Sequence, residues 1–260
     1  MKNLLAIDIG NTSIVSGLFT ERKLIKTWRL KTEKNKNPKS YISSYKKYLK
    51  NEKVGNIVIS SVVPELDKTF IKVSKTICGK NPLFLTYENC PLKTKYKKPD
   101  QIGADRLANA IAGLKLFGKP LIIIDFGTAI TFDCINRKGE YAGGIILPGT
   151  EISSYALHTY TAKLPLVKFS KPENIIGTTT QECINSGLYF GYKGMLIYLI
   201  ENLKKELKCS NIIATGGYAK KFCKELKIKV YPYLTLLGLK FFFESQKKEE
   251  DDKAKHIRKN

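Results

Sequence analysis

LLAIDIGNTSIV, from Leu4 to Val15, and LIIIDFGTAITF, from Leu121 to Phe132, share one pattern. Each is an apolar run that ends in Asp-x-Gly and continues as a second apolar, β-branched run. A short buried run, a glycine-permitted tight turn and a returning run predict a β-hairpin with the Asp at its bend, where a ligand can reach it. Two such hairpins imply two related domains facing one another, with a carboxylate on each wall of a shared cleft. Carboxylates backed by small hydroxyl residues suit a metal-bound nucleoside triphosphate.

Working outward from these hairpins, the first half reads as strands at Leu4 to Asp8, Ile14 to Phe19 and Lys23 to Leu30, then a helix from Pro38 to Lys50. A buried strand at Asn56 to Val63 leads into a helix opened by Pro64 and running to Ile77, as proline at a first helical turn allows. A short strand at Pro82 to Thr86 and an aperiodic Lys- and Pro-bearing stretch follow. That stretch ends at Gly103-Ala104-Asp105-Arg106, which starts an Ala-rich helix to Phe117.

The second half repeats the programme with strands at Pro120 to Asp125, Ala129 to Asn136 and Tyr141 to Leu147. A helix at Thr150 to Tyr160 comes next. Thr180 to Leu207 carries apolar residues at helical spacing, with small residues that permit close packing. A strand at Asn211 to Thr215 ends in Gly216-Gly217 before a further helix, and Leu234 to Glu244 is the last helix. These elements predict an α/β chain in two domains, residues 1–118 and 119–245, with residues 246–260 a disordered mixed-charge tail.

Composition narrows the function classes. Apolar residues make up 43% of the 260, enough for true cores, and no uncharged apolar run is long enough to span a bilayer. With no signal-peptide pattern either, the expected setting is the cytoplasm. Six scattered cysteines without a Cys-x-x-Cys pair, and only two histidines, argue against zinc or a disulfide framework. The net charge of +22 would favour phosphate-bearing partners. Its lysines are dispersed over surface-like positions, however, which reads as compositional habit rather than a nucleic-acid interface.

Each candidate motif has a plain and a functional reading. Asp8-Ile9-Gly10-Asn11-Thr12 is either an ordinary hairpin turn or a carboxylate with amides and hydroxyls for phosphate oxygens; the second copy, Asp125-Phe126-Gly127-Thr128, favours the latter. Ala214-Thr215-Gly216-Gly217 is a strand-to-helix connection or an anion site. Asp105 is a first-turn acid that complements the helix dipole, or a base for a substrate hydroxyl with Arg106 as a clamp on an anionic group. The threonines of Gly177 to Thr180 either line a polar pocket or cap the long helix.

Taken together and in this order, the residues resemble the type III pantothenate kinases of bacteria. The marks are Asp8 to Thr12, Tyr96 with Gly103 to Arg106, Asp125 to Thr131, Gly143 to Gly149, Thr161 to Pro165, and Thr180. Thr178 and Thr179 and the charged tail depart from the family pattern. The resemblance implies two ribonuclease-H-like domains in tandem around a central nucleotide cleft, as in actin-like ATPases and sugar kinases. It implies ATP contacts at Asp8, Ile9, Gly10, Asn11, Thr12, Ser13, Ile14, Val15 and Thr128. Substrate contacts follow at Tyr96, Gly103, Ala104, Asp105, Arg106 and Thr180, with Asp105 as the catalytic proton acceptor. Asp125 becomes the ligand of a monovalent cation, potassium or ammonium, while Mg²⁺ accompanies ATP. A homodimer with the pantothenate pocket at its interface is also implied. The rival expectations are another small-molecule kinase of the same fold, or a regulatory, nucleic-acid-binding relative of the Bvg-accessory-factor type.

Overall fold

The computed structural model describes residues 2–257. Its described residues divide into two compact units, one of residues 2–116 together with 234–257 and one of residues 117–233.

The first unit is built on β1 (Asn3–Ile9), β2 (Ser13–Phe19), β3 (Leu24–Lys31), β4 (Val54–Ser61) and β5 (Leu83–Phe84), arranged β3-β2-β1-β4-β5. β1 pairs antiparallel with β2 and parallel with β4. Period-two alternation sends Leu5, Ile7 and Ile9 into one core with Tyr41 and Tyr45 of α1 (Pro38–Leu49) and Leu66, Phe70 and Val73 of α2 (Pro64–Cys78). The hydroxyls of Ser16 and Tyr45 meet at 2.7 Å, so these two buried polar groups satisfy each other. The unit is completed by α3 (Ala104–Phe117) and α7 (Leu234–Ile257), of which α7 packs on β1, β2 and β4.

The second unit repeats the plan. β6 (Leu121–Phe126), β7 (Ala129–Ile135), β8 (Tyr141–Pro148), β9 (Ile212–Thr215) and β10 (Lys229–Val230) lie in the order β10-β9-β6-β7-β8, the same sequence of pairings read from the other edge. β6 is antiparallel to β7 and parallel to β9. Ile122, Ile124 and Phe126 pack against α5 (Thr180–Leu207) and α6 (Ala219–Leu226) through Tyr189, Leu196 and Phe222. Phe222 stacks with Phe126, Phe169 and Tyr189 at centroid separations of 5.6 to 5.7 Å. α4 (Thr150–Thr159) follows β8. This duplicated order follows the two related domains expected from the paired hairpins and the ribonuclease-H-like plan that the family resemblance implies.

The structure departs from the sequence reading in several places. The last helix, expected to close the second domain, belongs to the first unit. Residues 246–257, expected to be disordered, continue α7, and residues 258–260 lie outside the described residues. Helix-forming Glu and Lys sustain a helix where apolar periodicity has stopped. The short strand β10 carries no period of its own and was not anticipated. Gly191 of α5, read within the stripe whose small residues permit close packing, has open space where a Cβ would stand, as have Gly187 and Gly194. Among the described residues no helix is long and apolar enough to cross a membrane.

Candidate active site

In the first hairpin, Asp8 is not at the bend. It is the penultimate residue of β1, in register with Val15 of β2 and Ser60 of β4. The turn proper is Gly10 to Ser13, closed by the Gly10 amide donating to the Ser13 carbonyl at 3.1 Å. The Thr32 hydroxyl donates to the Gly10 carbonyl at 2.6 Å, and an Arg29 guanidinium nitrogen to Ser13 Oγ at 2.6 Å. Ser60 Oγ donates to Asp8 Oδ1 at 2.7 Å, so the carboxylate is aimed from the neighbouring strand. Sequence reading missed Ser60, because only the parallel register of β1 and β4 reveals the pair.

Asp105 comes to the same end of this sheet. The Val62 amide, just beyond β4, donates to the Ile9 carbonyl at 3.0 Å. A Cβ on Gly103 would sit 3.5 Å from Val62 Cγ1 and 2.5 Å from Asp105 Oδ1. Gly103 is therefore glycine because the Asp105 carboxylate folds back over it. The Arg106 amide donates to Asp105 Oδ1 at 2.8 Å, an N-terminal helix arrangement that orients the acid. Desolvation raises the Asp105 pKa above the ordinary carboxylate value, opposed by the Arg106 amide and the positive charge of Arg106. A raised carboxylate pKa makes a stronger base, the property a proton acceptor needs. Arg106 itself is 6% exposed, a buried cation one residue from that acid.

In the second unit, Asp125 holds the equivalent strand position, in register with Thr131 and Thr215. Gly216, at φ +95°, passes so close that a Cβ would stand 2.5 Å from Asp125 Oδ1 and from the Phe126 backbone. The Gly149 amide donates to the Thr128 carbonyl at 3.0 Å, and a Cβ there would collide with that oxygen. Two glycines thus clear the space around the Asp-Phe-Gly-Thr turn. One carboxylate in a backbone-lined cradle fits a cation with oxygen ligands and little demand for multiple charges. Gly216 and Gly149 were legible as glycine motifs, but their convergence on Asp125 and Thr128 was not.

Thr180 lies apart from that turn in the chain, exposed as the first residue of α5. The capping expected of this threonine group is performed by Thr179, whose hydroxyl accepts from the Glu182 amide, and Glu182 in turn accepts from the Thr178 and Thr179 amides. Tyr96 is partly buried on the irregular segment before α3, its amide held by the Thr94 hydroxyl at 2.9 Å.

Comparison with known proteins gives a family match. A family model described as type III pantothenate kinase matches residues 4–202. A type III pantothenate kinase of Endomicrobium trichonymphae is 41% identical over 254 residues, covering 92% of this chain and 98% of that one. That of Sulfurihydrogenibium sp. (strain YO3AOP1) is 39% identical over 247 residues with the same coverage. Among solved structures, a conserved putative Baf family transcriptional activator from Campylobacter jejuni superposes with TM-score 0.62 at 20% identity, over 94% of this chain and 99% of that one. MreB 5 of Spiroplasma citri, solved bound to AMPPNP, has TM-score 0.51 at 13% identity, over 97% and 99%. These structures share the actin-like, doubly repeated fold. By the family match and by relatives alike over nearly the whole length, the chain belongs to the type III pantothenate kinase family.

Proposed function

We propose that the chain transfers the γ-phosphoryl group of ATP to the primary hydroxyl of pantothenate, giving 4'-phosphopantothenate, the first step of coenzyme A biosynthesis, in the cytoplasm. The observation that carries this reading is Asp105: a partly buried carboxylate of raised pKa, aimed by the Arg106 amide and cleared by Gly103, at the sheet end that bears the Asp8 hairpin.

Phosphoryl transfer has a loose transition state, so the protein's work is positioning and charge neutralisation. Asp105 accepts the hydroxyl proton as the oxygen attacks. Arg106 holds the substrate carboxylate or the migrating phosphoryl group, with Tyr96, Gly103, Ala104 and Thr180 shaping the substrate pocket. Amides of Gly10 to Thr12, continued by Ser13 to Val15, and the Thr128 hydroxyl take the ATP phosphates. Asp8, aimed by Ser60, holds Mg²⁺ on those phosphates, and Asp125 holds a monovalent cation, potassium or ammonium. When bound, these cations offset phosphate charge.

A homodimer belongs to the same reading. Ile152, Tyr155, Tyr160, Met195, Ile197 and Tyr198, on or beside α4 and α5, are large apolar side chains left exposed, and the bare glycines of α5 lie among them. Such a surface suits a second copy.

ADP release by purified protein given ATP, Mg²⁺ and pantothenate, in potassium and then in sodium, tests the proposal. Pantothenate-dependent, potassium-stimulated turnover is expected. A folded protein without turnover in either salt would overturn it and return the regulatory alternative.

A further inference from the structure

The chain passes between its two units near the end of α3 and at the start of α7. The buried face of α3 is mostly Ala, Leu and Ile, with Arg106 and Asn109 as its polar exceptions. Asn109 is 1% exposed and stands four residues after Asp105, one helical turn along the same face. Its side-chain oxygen accepts a hydrogen bond of 2.8 Å from the hydroxyl of Thr235, the second residue of α7. One turn further, Gly238 lies so near α3 that a Cβ would overlap the Ala108 carbonyl. Leu239 and Phe242, fully buried, continue that side of α7 into the core.

A buried polar pair between two helices adds little net stability over an apolar pair of equal volume, but it is satisfied in one register only. An apolar contact of alanines would let α3 slide or rotate, whereas Asn109 finds its partner at one setting. Gly238 brings the two helices close enough for that bond to form.

We infer that Asn109 and Thr235, seated by the Gly238–Ala108 contact, are positioning residues that set the rotation and axial register of α3 and thereby the aim of the Asp105 carboxylate. The inference rests on the role proposed for Asp105. It makes the C-terminal helix part of the proton-accepting apparatus without touching substrate.

Thr235→Val removes the donor at nearly constant volume, and Thr235→Ser keeps it. Two readouts decide. In amide hydrogen exchange, the Arg106 and Leu107 amides of Thr235→Val exchange about tenfold faster while those of β1 and β4 are unchanged, and Thr235→Ser restores protection. In kinetics, Thr235→Val lowers kcat about tenfold with KM for ATP altered less than about twofold, and adds nothing in an Asp105→Asn background. Unchanged exchange at those two amides, equal acceleration throughout the first unit, or the same tenfold kcat loss without the Asp105 carboxylate would each overturn the inference. If the wild-type protein shows no pantothenate-dependent turnover, the functional reading falls, and the exchange comparison still decides whether Thr235 fixes α3.

Discussion

The two Asp-x-Gly hairpins occupy the same place in two sheets of the same order, yet they hold their carboxylates differently. In the first, the turn between Ile9 and Ile14 is Gly10 to Ser13, and Asp8 is aimed by a hydrogen bond from Ser60 on the adjacent parallel strand. In the second, the turn between Phe126 and Ile130 is one residue shorter, and Asp125 is flanked by Gly216, one residue beyond its register partner Thr215. The first carboxylate accepts a hydroxyl from the adjacent strand; beside the second, the missing side chain of Gly216 clears space. Duplication has preserved the backbone frame while the side chains around it diverged, and the first unit brings a further acid, Asp105, to its sheet end.

The sharpest way to separate the units is to remove that added acid. Asp105→Asn keeps an oxygen for the Arg106 amide but cannot accept a proton, so kcat falls by about 10²-fold or more. Because the folded protein raises the Asp105 pKa, ionised Asp105 opposes folding at pH values above its folded pKa, and this opposition disappears below the ordinary carboxylate range. Asp105→Asn therefore has a higher Tm than wild type at neutral pH, and the difference closes on acidification. A lower Tm at neutral pH would contradict the desolvation argument.

Next in size is Gly216→Ala. Both the positive φ and the closeness to Asp125 Oδ1 oppose a methyl group, which displaces the carboxylate. Turnover in potassium falls about tenfold toward the value in sodium, while a Gly217→Ala control, with open space at the added Cβ, retains its potassium response. Equal loss in the two variants would remove the contrast between cradle and donor. The smallest effect belongs to Ser60→Ala, which deletes one hydrogen bond to Asp8 without touching Asp105. KM for Mg-ATP rises roughly threefold to tenfold with KM for pantothenate unchanged, in keeping with about 1 kcal/mol for such a bond. A loss confined to kcat would move Ser60 from nucleotide binding to the chemical step.

Much of this was legible in the sequence. Period-two runs ending in Asp-x-Gly predicted both hairpins to within a residue or two, and Pro64 and Ala104 were rightly read as helix starts. Local signals sufficed there, because turn chemistry and alternation are properties of neighbouring residues. Illegible parts depend on residues far apart in the chain. Ser60 meets Asp8 across a parallel strand pair, Gly216 meets Asp125 through β9, and Thr235 meets Asn109 across two helices. Nothing near Leu234 indicates that the helix it starts returns to the first sheet, since its apolar residues would suit either core.

That return has a consequence for how the protein is made. The second unit is one continuous stretch of chain, whereas the first is finished by its last helix, whose Leu236, Leu239 and Phe242 are buried. As the polypeptide leaves the ribosome, the middle of the sequence can complete its core while the strands synthesised earliest still lack their cover on one face. The N-terminal portion, first to emerge, is thus the last to finish. A premature stop shortly before residue 234 strands an uncovered apolar sheet beside an intact neighbour, a species prone to aggregate rather than a half-active enzyme.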